Sequence, residues 1–411
     1  MLISLLALFT LAPLALAQNG TFLAGLVATL QSAGLTQLIS VAGTLNGTAN
    51  GQALLANISN GSPHLLFAPN DAAWAMAPSN ETSDNNTLID TFSYHIVPGN
   101  FSNVDTMYQN VTLGQTLYSD PATVHLEGNR PQVVAWTVRS DGKTHVLNQR
   151  NDSTVVNTTA FGNITIYIVD HVLHVPENLA AAATANDALP AFDTVLSSAS
   201  LAFYNSSTNQ TSDVTFFDAF DSGYRGFTLF APNTAAVNAT NSTLQSLVSN
   251  RTAINNILYN HFINGSTVYS PLLAGSEKYT SAAGQTLSFS INATGQYVTL
   301  GNITATIVQP DVLLPNGVVH IIDRVLLDTD NDPSAASSAL ASATSAATAS
   351  QSSQTGPIGF SATSGLATAL ASSGASNSNA AMSTLSMGKD KMFAIVVAML
   401  GALTGGFLTM C

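Results

Sequence analysis

Ten residues, Leu65-Leu66-Phe67-Ala68-Pro69-Asn70-Asp71-Ala72-Ala73-Trp74, return as Thr228-Leu229-Phe230-Ala231-Pro232-Asn233-Thr234-Ala235-Ala236-Val237, so the chain folds as one plan used twice. Each copy reads as a short buried strand of large apolar residues, stopped by a proline. An Asn follows that can cap the small-residue helix behind it. This strand-to-helix turn is expected at the centre of each domain.

Two further pairs follow in the same order. Ser93-Tyr94-His95-Ile96-Val97-Pro98-Gly99 matches Tyr259-Asn260-His261-Phe262-Ile263-Asn264-Gly265. Asn163-Ile164-Thr165-Ile166-Tyr167-Ile168-Val169-Asp170-His171-Val172-Leu173 matches Asn316-Gly317-Val318-Val319-His320-Ile321-Ile322-Asp323-Arg324-Val325-Leu326. The matches start at 65 and 228, 93 and 259, and 163 and 316, which are offsets of 163, 166 and 153 residues. Ordered matches at nearly constant offset mark a tandem repeat with its insertions in loops. At these residues the chain resembles the fasciclin domain family, whose pattern is a TLFAPND-A block, a tyrosine-histidine block and a closing NG-VHVID-VL strand. The resemblance covers roughly residues 20 to 328. It implies two tandem α+β domains, each a β-wedge or sandwich flanked by short helices, that act in adhesion without catalysis.

The order of local signals agrees with an α+β domain. Leu23, Leu26, Val27 and Leu30 mark an amphipathic helix ending near Gly34, a second helix is expected around Leu35 to Val41, and a third from Thr87 to His95. Short β-branched strands follow at Val111 to Tyr118, Thr123 to Leu126, Gln132 to Val138, Thr144 to Leu147 and Ile164 to Val172. The second domain repeats the plan, with a helix from Ala191, two more between Thr243 and Phe262, and strands near Lys278, Thr286, Tyr297, Thr304 and Val318. The expected boundaries are a signal peptide at 1–17, domains at 18–178 and 187–328, and an alanine-rich linker at 179–186 too short for free tumbling. A disordered Ser/Thr/Ala stalk at 329–379 and a propeptide with an apolar tail at 380–411 complete the chain.

Only 8% of residues are charged, and the net charge is −13 without any Lys/Arg cluster, so nucleic acid is an unsuitable partner. Neutral polar groups and sugars must carry solubility. Asn-X-Ser/Thr sequons stand at Asn46, Asn57, Asn60, Asn80, Asn85, Asn100, Asn110, Asn151, Asn157, Asn205, Asn209, Asn238, Asn241, Asn250, Asn264, Asn292 and Asn302. The single cysteine, Cys411, excludes a disulfide framework within the domains. The stalk, unable to bury a core, would span about 150 Å if sugars held it extended. The apolar stretch from Met392 to Cys411 has no basic stop behind it. Small residues at Asn379-Ala380-Ala381 and a polar spacer before it match a glycosylphosphatidylinositol signal, with Asn379 as attachment site and Gly374 or Asn377 as alternatives. A retained transmembrane helix is the competing reading of the tail.

Eight histidines require a test for metal or catalysis. His171 and His174, in a Val/Ile-rich strand, point to opposite faces and do not share a metal. His95 and His261 are equivalent and each fits a buried His hydrogen-bonded to a carbonyl. The resemblance instead implies an adhesion role for Tyr94, His95 and His261, weakened in the second domain because Asn260 precedes His261 and the tyrosine sits earlier, at Tyr259. Asp170 and Asp323 repeat and read as structural acids. Asp71, replaced by Thr234, reads as a helix cap, and Trp74 and Trp136 as core aromatics. No nucleophile elbow, zinc-protease motif or phosphate loop occurs, so no cofactor is implied.

The reading is thus a glycosylated, lipid-anchored surface protein of cell-wall type whose partners are cell-surface or matrix proteins or glycans, a second copy of the chain among them. Two alternatives stand beside it: a membrane-retained fasciclin protein of the vacuole or endomembranes serving docking, and a carbohydrate-active enzyme with two facing carboxylates.

Overall fold

The computed structural model describes residues 11–359 except 79–83, 103, 105, 109, 206–209, 248, 274–277 and 350–353. Residues 1–10 of the expected signal, the sequons Asn80 and Asn209, the stalk beyond residue 359, Asn379 and the apolar tail lie outside the described residues.

The first domain opens with helices α1 (Leu11–Ser32), α2 (Thr36–Leu45) and α3 (Ala49–Ile58). β1 (His64–Pro69), α4 (Asp71–Met76), α5 (Asn85–Tyr94) and β2 (Ile96–Pro98) follow. The domain closes with β3 (Thr112–Gln115), β4 (Val133–Val138), β5 (Thr144–Val146), β6 (Ser153–Phe161) and β7 (Ile164–Val169). The seven strands form one sheet in the order β2-β1-β7-β6-β5-β4-β3. β1 runs parallel to β7 and antiparallel to β2. Every residue of β1 is buried, which explains its unbroken apolar run. It therefore lies one strand in from the sheet edge rather than at the sheet's centre. Asn70 caps α4 as expected, its Oδ1 accepting from the Ala73 N–H at 2.8 Å, and Asn233 does the same for Ala236 at 2.8 Å.

The second domain repeats the sheet. Its helices are α6 (Leu179–Ala185), α7 (Pro190–Ser198), α8 (Phe216–Ser222), α9 (Thr234–Ala239), α10 (Asn241–Leu247) and α11 (Arg251–Asn260). A hairpin of β8 (Ser200–Asn205) and β9 (Gln210–Thr215) interrupts them. β10 (Phe227–Pro232), β11 (Phe262–Asn264), β12 (Lys278–Thr280), β13 (Thr286–Asn292), β14 (Gly295–Leu300), β15 (Ile303–Leu314) and β16 (Gly317–Ile322) form a sheet ordered β11-β10-β16-β15-β14-β13-β12. Again β10 runs parallel to the closing strand β16.

Several segments depart from the expectation, among them the strand expected at Thr123 to Leu126, which is a turn followed by irregular chain, and the unexpected β8–β9 hairpin. The stretch expected as a linker, 179–186, contains α6, whose Leu179 and Ala183 sit in the second domain's core beside Phe220 and Leu314. Asn178 caps it through the Ala181 N–H at 3.0 Å, so the alanines serve as helix formers. Strand β6 was not expected, because most of it is polar and its outer residues, including Asn157, are exposed.

The largest departure is in the expected stalk. Residues 333–348 form α12 (Pro333–Thr348), started by Asp332, whose carboxylate accepts from the Ser334 and Ala335 N–H groups, with Pro333 at the first helical position. The approach to it is tied down: Asn256 Nδ2 donates to the Thr329 carbonyl, Asn260 Nδ2 to those of Asp328 and Asp330, and the Asp332 N–H to Ala283. A Cβ placed on Gly265 would stand 2.9 Å from Leu340 Cδ1, and one on Gly128 would stand 2.4 Å from the Ala347 carbonyl oxygen. Further on, Gln354 bonds the Gln115 N–H at 2.7 Å and the Pro98 carbonyl at 2.9 Å, and the Ile358 N–H reaches the Leu113 carbonyl at 2.9 Å. Residues 328–349 and 354–359 thus strap the second domain onto the first.

Candidate functional site

The tyrosine-histidine block is interior in both domains. His95 follows the last turn of α5 at 1% exposure and His261 that of α11 at 1%. Each ring joins its helix end to the chain leaving the parallel closing strand. His95 Nδ1 donates to the Thr91 carbonyl at 2.7 Å, while Nε2 accepts from the Leu173 N–H at 2.9 Å. His261 repeats this with the Ile257 carbonyl at 2.7 Å and the Leu326 N–H at 3.0 Å. A nitrogen that accepts from a backbone N–H carries no proton, so both rings are neutral with the proton on Nδ1. Burial pushes both down to about 4, against the smaller raising effect of the carbonyl. Tyr94 is fully buried and donates to the Val133 carbonyl at 3.1 Å. As placed, Tyr94, His95 and His261 offer a partner no surface, and their polar atoms are spent on backbone.

The other repeated residues follow the same logic. Asp170 Oδ1 accepts from the Thr154 N–H at 2.8 Å, and Asp323 Oδ1 from the Thr306 N–H at 2.7 Å, each fixing the end of the closing strand to its neighbour. Tyr167 and His320 both meet the aromatic of the LFAP block, Tyr167 edge-on to Phe67 at 5.8 Å and His320 stacked on Phe230 at 5.6 Å. Asp71 caps a neighbouring helix rather than its own, since it accepts from Thr36 Oγ1 at 2.5 Å and the Gln37 N–H at 2.9 Å at the start of α2. Thr234 makes the corresponding link to the start of α7, its hydroxyl accepting from the Ala191 N–H at 3.4 Å and donating to the Ala188 carbonyl at 3.1 Å. Trp136 is buried between Phe67 and Phe101, and Trp74 is half-buried. His171 and His174 lie beyond the end of β7. His171 faces its neighbour Asp170 at 2.9 Å, and the His174 N–H donates to Gln149 Oε1 at 2.7 Å. Among the described residues no group of three His, Cys, Asp or Glu could hold a metal ion.

Signals lost in the sequence emerge where the domains meet. Val111, Leu113, Val133 and Ala135 of the first pack with Tyr269, Leu313 and Val318 of the second. Buried Glu127, in a 3-10 turn, accepts from the Thr267 hydroxyl at 2.7 Å and from Arg130 at 3.0 Å. Gln132 Nε2 donates to the Leu314 carbonyl at 3.0 Å, and Asn148 Nδ2 to that of Asp311 at 2.6 Å. Asp311 itself is buried, which pushes its carboxyl up, and its oxygens accept from the Ser270 N–H and hydroxyl. This seam joins the repeats into one unit, yet its cross-domain hydrogen bonds pair residues 140, 163 and 182 positions apart in sequence.

Two surface features remain. Of the sequon asparagines whose side chains are described, all but half-buried Asn264 are exposed. Asn163, which also precedes Ile164-Thr165, is exposed as well, but its Nδ2 is bonded to the Gly61 carbonyl at 2.8 Å. A cleft of about 750 Å³ near α3 and α5 brings Asp90 and Asp120 together with Asn57, Asn86 and Ser93. Burial first, then the charges of Asp120 and Asp84, push the Asp90 carboxyl up to about 6. The stretch 213–237, which carries no sequon, is largely interior: Phe216, Phe220 and all of β10 are buried.

The doubled sheet, its parallel closing strand and the paired histidine clamps define a tandem α+β protein of two like domains. The chain belongs to the fasciclin domain family, whose model matches residues 25–176 and 204–328. A fasciclin-like arabinogalactan protein of Arthroderma benhamiae is 23% identical over 256 residues, 62% of this chain and 54% of that protein. The chain thus spans about half the length of this curated relative. A solved domain pair from the insect cell adhesion molecule fasciclin I is 20% identical, covers 72% of this chain and 98% of that one, and gives a TM-score of 0.34.

Proposed function

We propose that this protein is a non-enzymatic, N-glycosylated adhesion protein displayed at the cell surface or cell wall on a glycosylphosphatidylinositol anchor at Asn379, after removal of residues 1–17. The observation that carries the reading is the distribution of sequons. They occupy exposed positions on both domains, including the outward side of β6, and a chain with 8% charged residues needs such sugars for solubility. The relative named a fasciclin-like arabinogalactan protein supports the same setting. Because the tyrosine-histidine block is consumed by the fold, contact with surface proteins, matrix glycans or a second copy falls to outer residues. The β12–β13 edge of the second sheet is the preferred face. Lys278, Thr286, Ser290 and Ile291 are exposed there, and no sequon lies between Ser266 and Ile291.

Intact cells treated with phosphatidylinositol-specific phospholipase test the anchor. Release of an ectodomain that shrinks on N-glycan removal is expected. Retention of the chain with Cys411 still present defeats the lipid anchor and favours the membrane-retained alternative.

A further inference from the structure

Between α7, α9, α10 and α11 the second domain holds a cavity of about 620 Å³, within the range of small-molecule sites. Val195, Val237 and Leu258 line its apolar walls, His261 its floor, and Gln245 and Arg251 its mouth. The repeat explains the space. Val237 is the counterpart of Trp74, and Leu258 that of Phe92, so two large aromatics of the first domain are replaced by smaller aliphatics. In the first domain Trp74 packs its indole onto the helical core formed with Leu88 and Phe92. The same scaffold therefore seats a flat aromatic ring where the second domain leaves room.

The character of the floor and mouth narrows the occupant. His261 has both ring nitrogens engaged with backbone and is neutral, so the floor presents an uncharged ring. The cation in the lining is Arg251, whose exposed guanidinium also contacts Asp213 at 3.1 Å. A cation at an apolar mouth selects an anionic head, which competes with Asp213 for the guanidinium. We propose that this cavity binds a small aromatic acid: a flat apolar body of indole to naphthalene size inserted against Val237, with its anionic group at Arg251. The site stands independently of the adhesion reading, and nothing in it calls for turnover.

The test uses the full glycosylated chain and two fluorescent probes of like shape, anionic anilinonaphthalene sulfonate and neutral N-phenylnaphthylamine. Wild type should bind each at one site. Val237→Trp installs the first domain's own residue, and should weaken both probes by at least about tenfold while keeping the native circular dichroism. Arg251→Glu, at an exposed position, should weaken only the anionic probe, by about three- to tenfold. Equal binding of both probes by wild type and a folded Val237→Trp overturns the site. Should that variant fail to fold, Arg251→Glu decides: unchanged affinity for the anionic probe, or equal loss of both, overturns the assignment.

Discussion

Acidification should destabilise this protein through its paired histidine clamps. His95 and His261 are held at about 4 in the folded chain, against 6.5 for a free imidazole. A group whose pKa is depressed on folding binds protons more tightly in the unfolded chain. The stability a neutral His gives is therefore complete above pH 6.5 and is lost as pH falls toward 4. At pH 5 each ring has lost about 2 kcal/mol, from 1.36 kcal/mol per unit. His320, likewise lowered by burial, adds to the same trend. Asp90 and Asp311 act with the opposite sign: their raised carboxyls take up protons in the folded chain and recover stability as pH falls. For Asp90 the recovery at pH 5 is at most about 1 kcal/mol once its partial exposure is allowed for. Two clamps at about 2 kcal/mol each outweigh Asp90.

The assay that isolates them is thermal denaturation from pH 7.5 to 5 of wild type and His261→Gln. Gln keeps one donor and one acceptor but never charges, and the carboxylates contribute equally to both proteins. The variant should start about 1–3 kcal/mol less stable at pH 7.5, from imperfect hydrogen bonding. The gap should then shrink by about 2 kcal/mol at pH 5, roughly 3 °C in Tm for the joined domains. Parallel pH profiles for the two proteins would refute the argument, as would a ring-nitrogen NMR signature of the Nε2–H form at neutral pH.

Further outcomes follow from single contacts. Glu127→Ala removes the buried acceptor of Thr267 and the ion partner of Arg130, and should cost about 2–3 kcal/mol in the unfolding of the joined domains. Asp90→Asn should stabilise the chain at pH 7 by about 1 kcal/mol, since it removes a carboxylate that ionises less readily when folded. If Asp90 and Asp120 were instead a glycosidase pair, this variant would abolish turnover of a glycan by the wild type. Gly128→Val places a side chain at φ 66° against the Ala347 carbonyl, and should raise hydrogen exchange across α12 and residues 354–359 without unfolding β1 or β10.

Much of the fold was legible because its signals are local. The proline-asparagine stop after β1 and β10 needs only four neighbouring residues, and both caps form as read. The helix before each His was visible from its apolar spacing, with α5 starting two residues before its expected Thr87. What could not be read depends on partners far away in sequence. α12 looked like stalk because Ser and Ala are equally suited to disorder, although Asp332-Pro333 was a start signal in plain view. Its docking is decided by Gly128, Gly265 and Asn260, none of which bears any mark of it. Tyr94 and His95 are buried, which a tyrosine at a helix end does not announce.

The two copies also serve as each other's control. Where they agree, at Asn70 and Asn233, His95 and His261, or Asp170 and Asp323, they make the same hydrogen bonds, so agreement reports what the fold requires. Individual properties must then lie where they differ. Tyr94 gives its hydroxyl to β4, whereas Asn260 in its place spends its amide on Ser281, Asp328 and Asp330 and so holds the strap that only the second domain launches. Trp74 against Val237 is the same kind of difference, except that the second copy gains a space instead of a contact. Replacing Asn260 with Tyr should therefore release the strap, measured as faster proteolysis after residue 328, while Tyr94→Asn should leave the strap unaffected. If both variants release the strap equally, the division of roles between the copies is wrong.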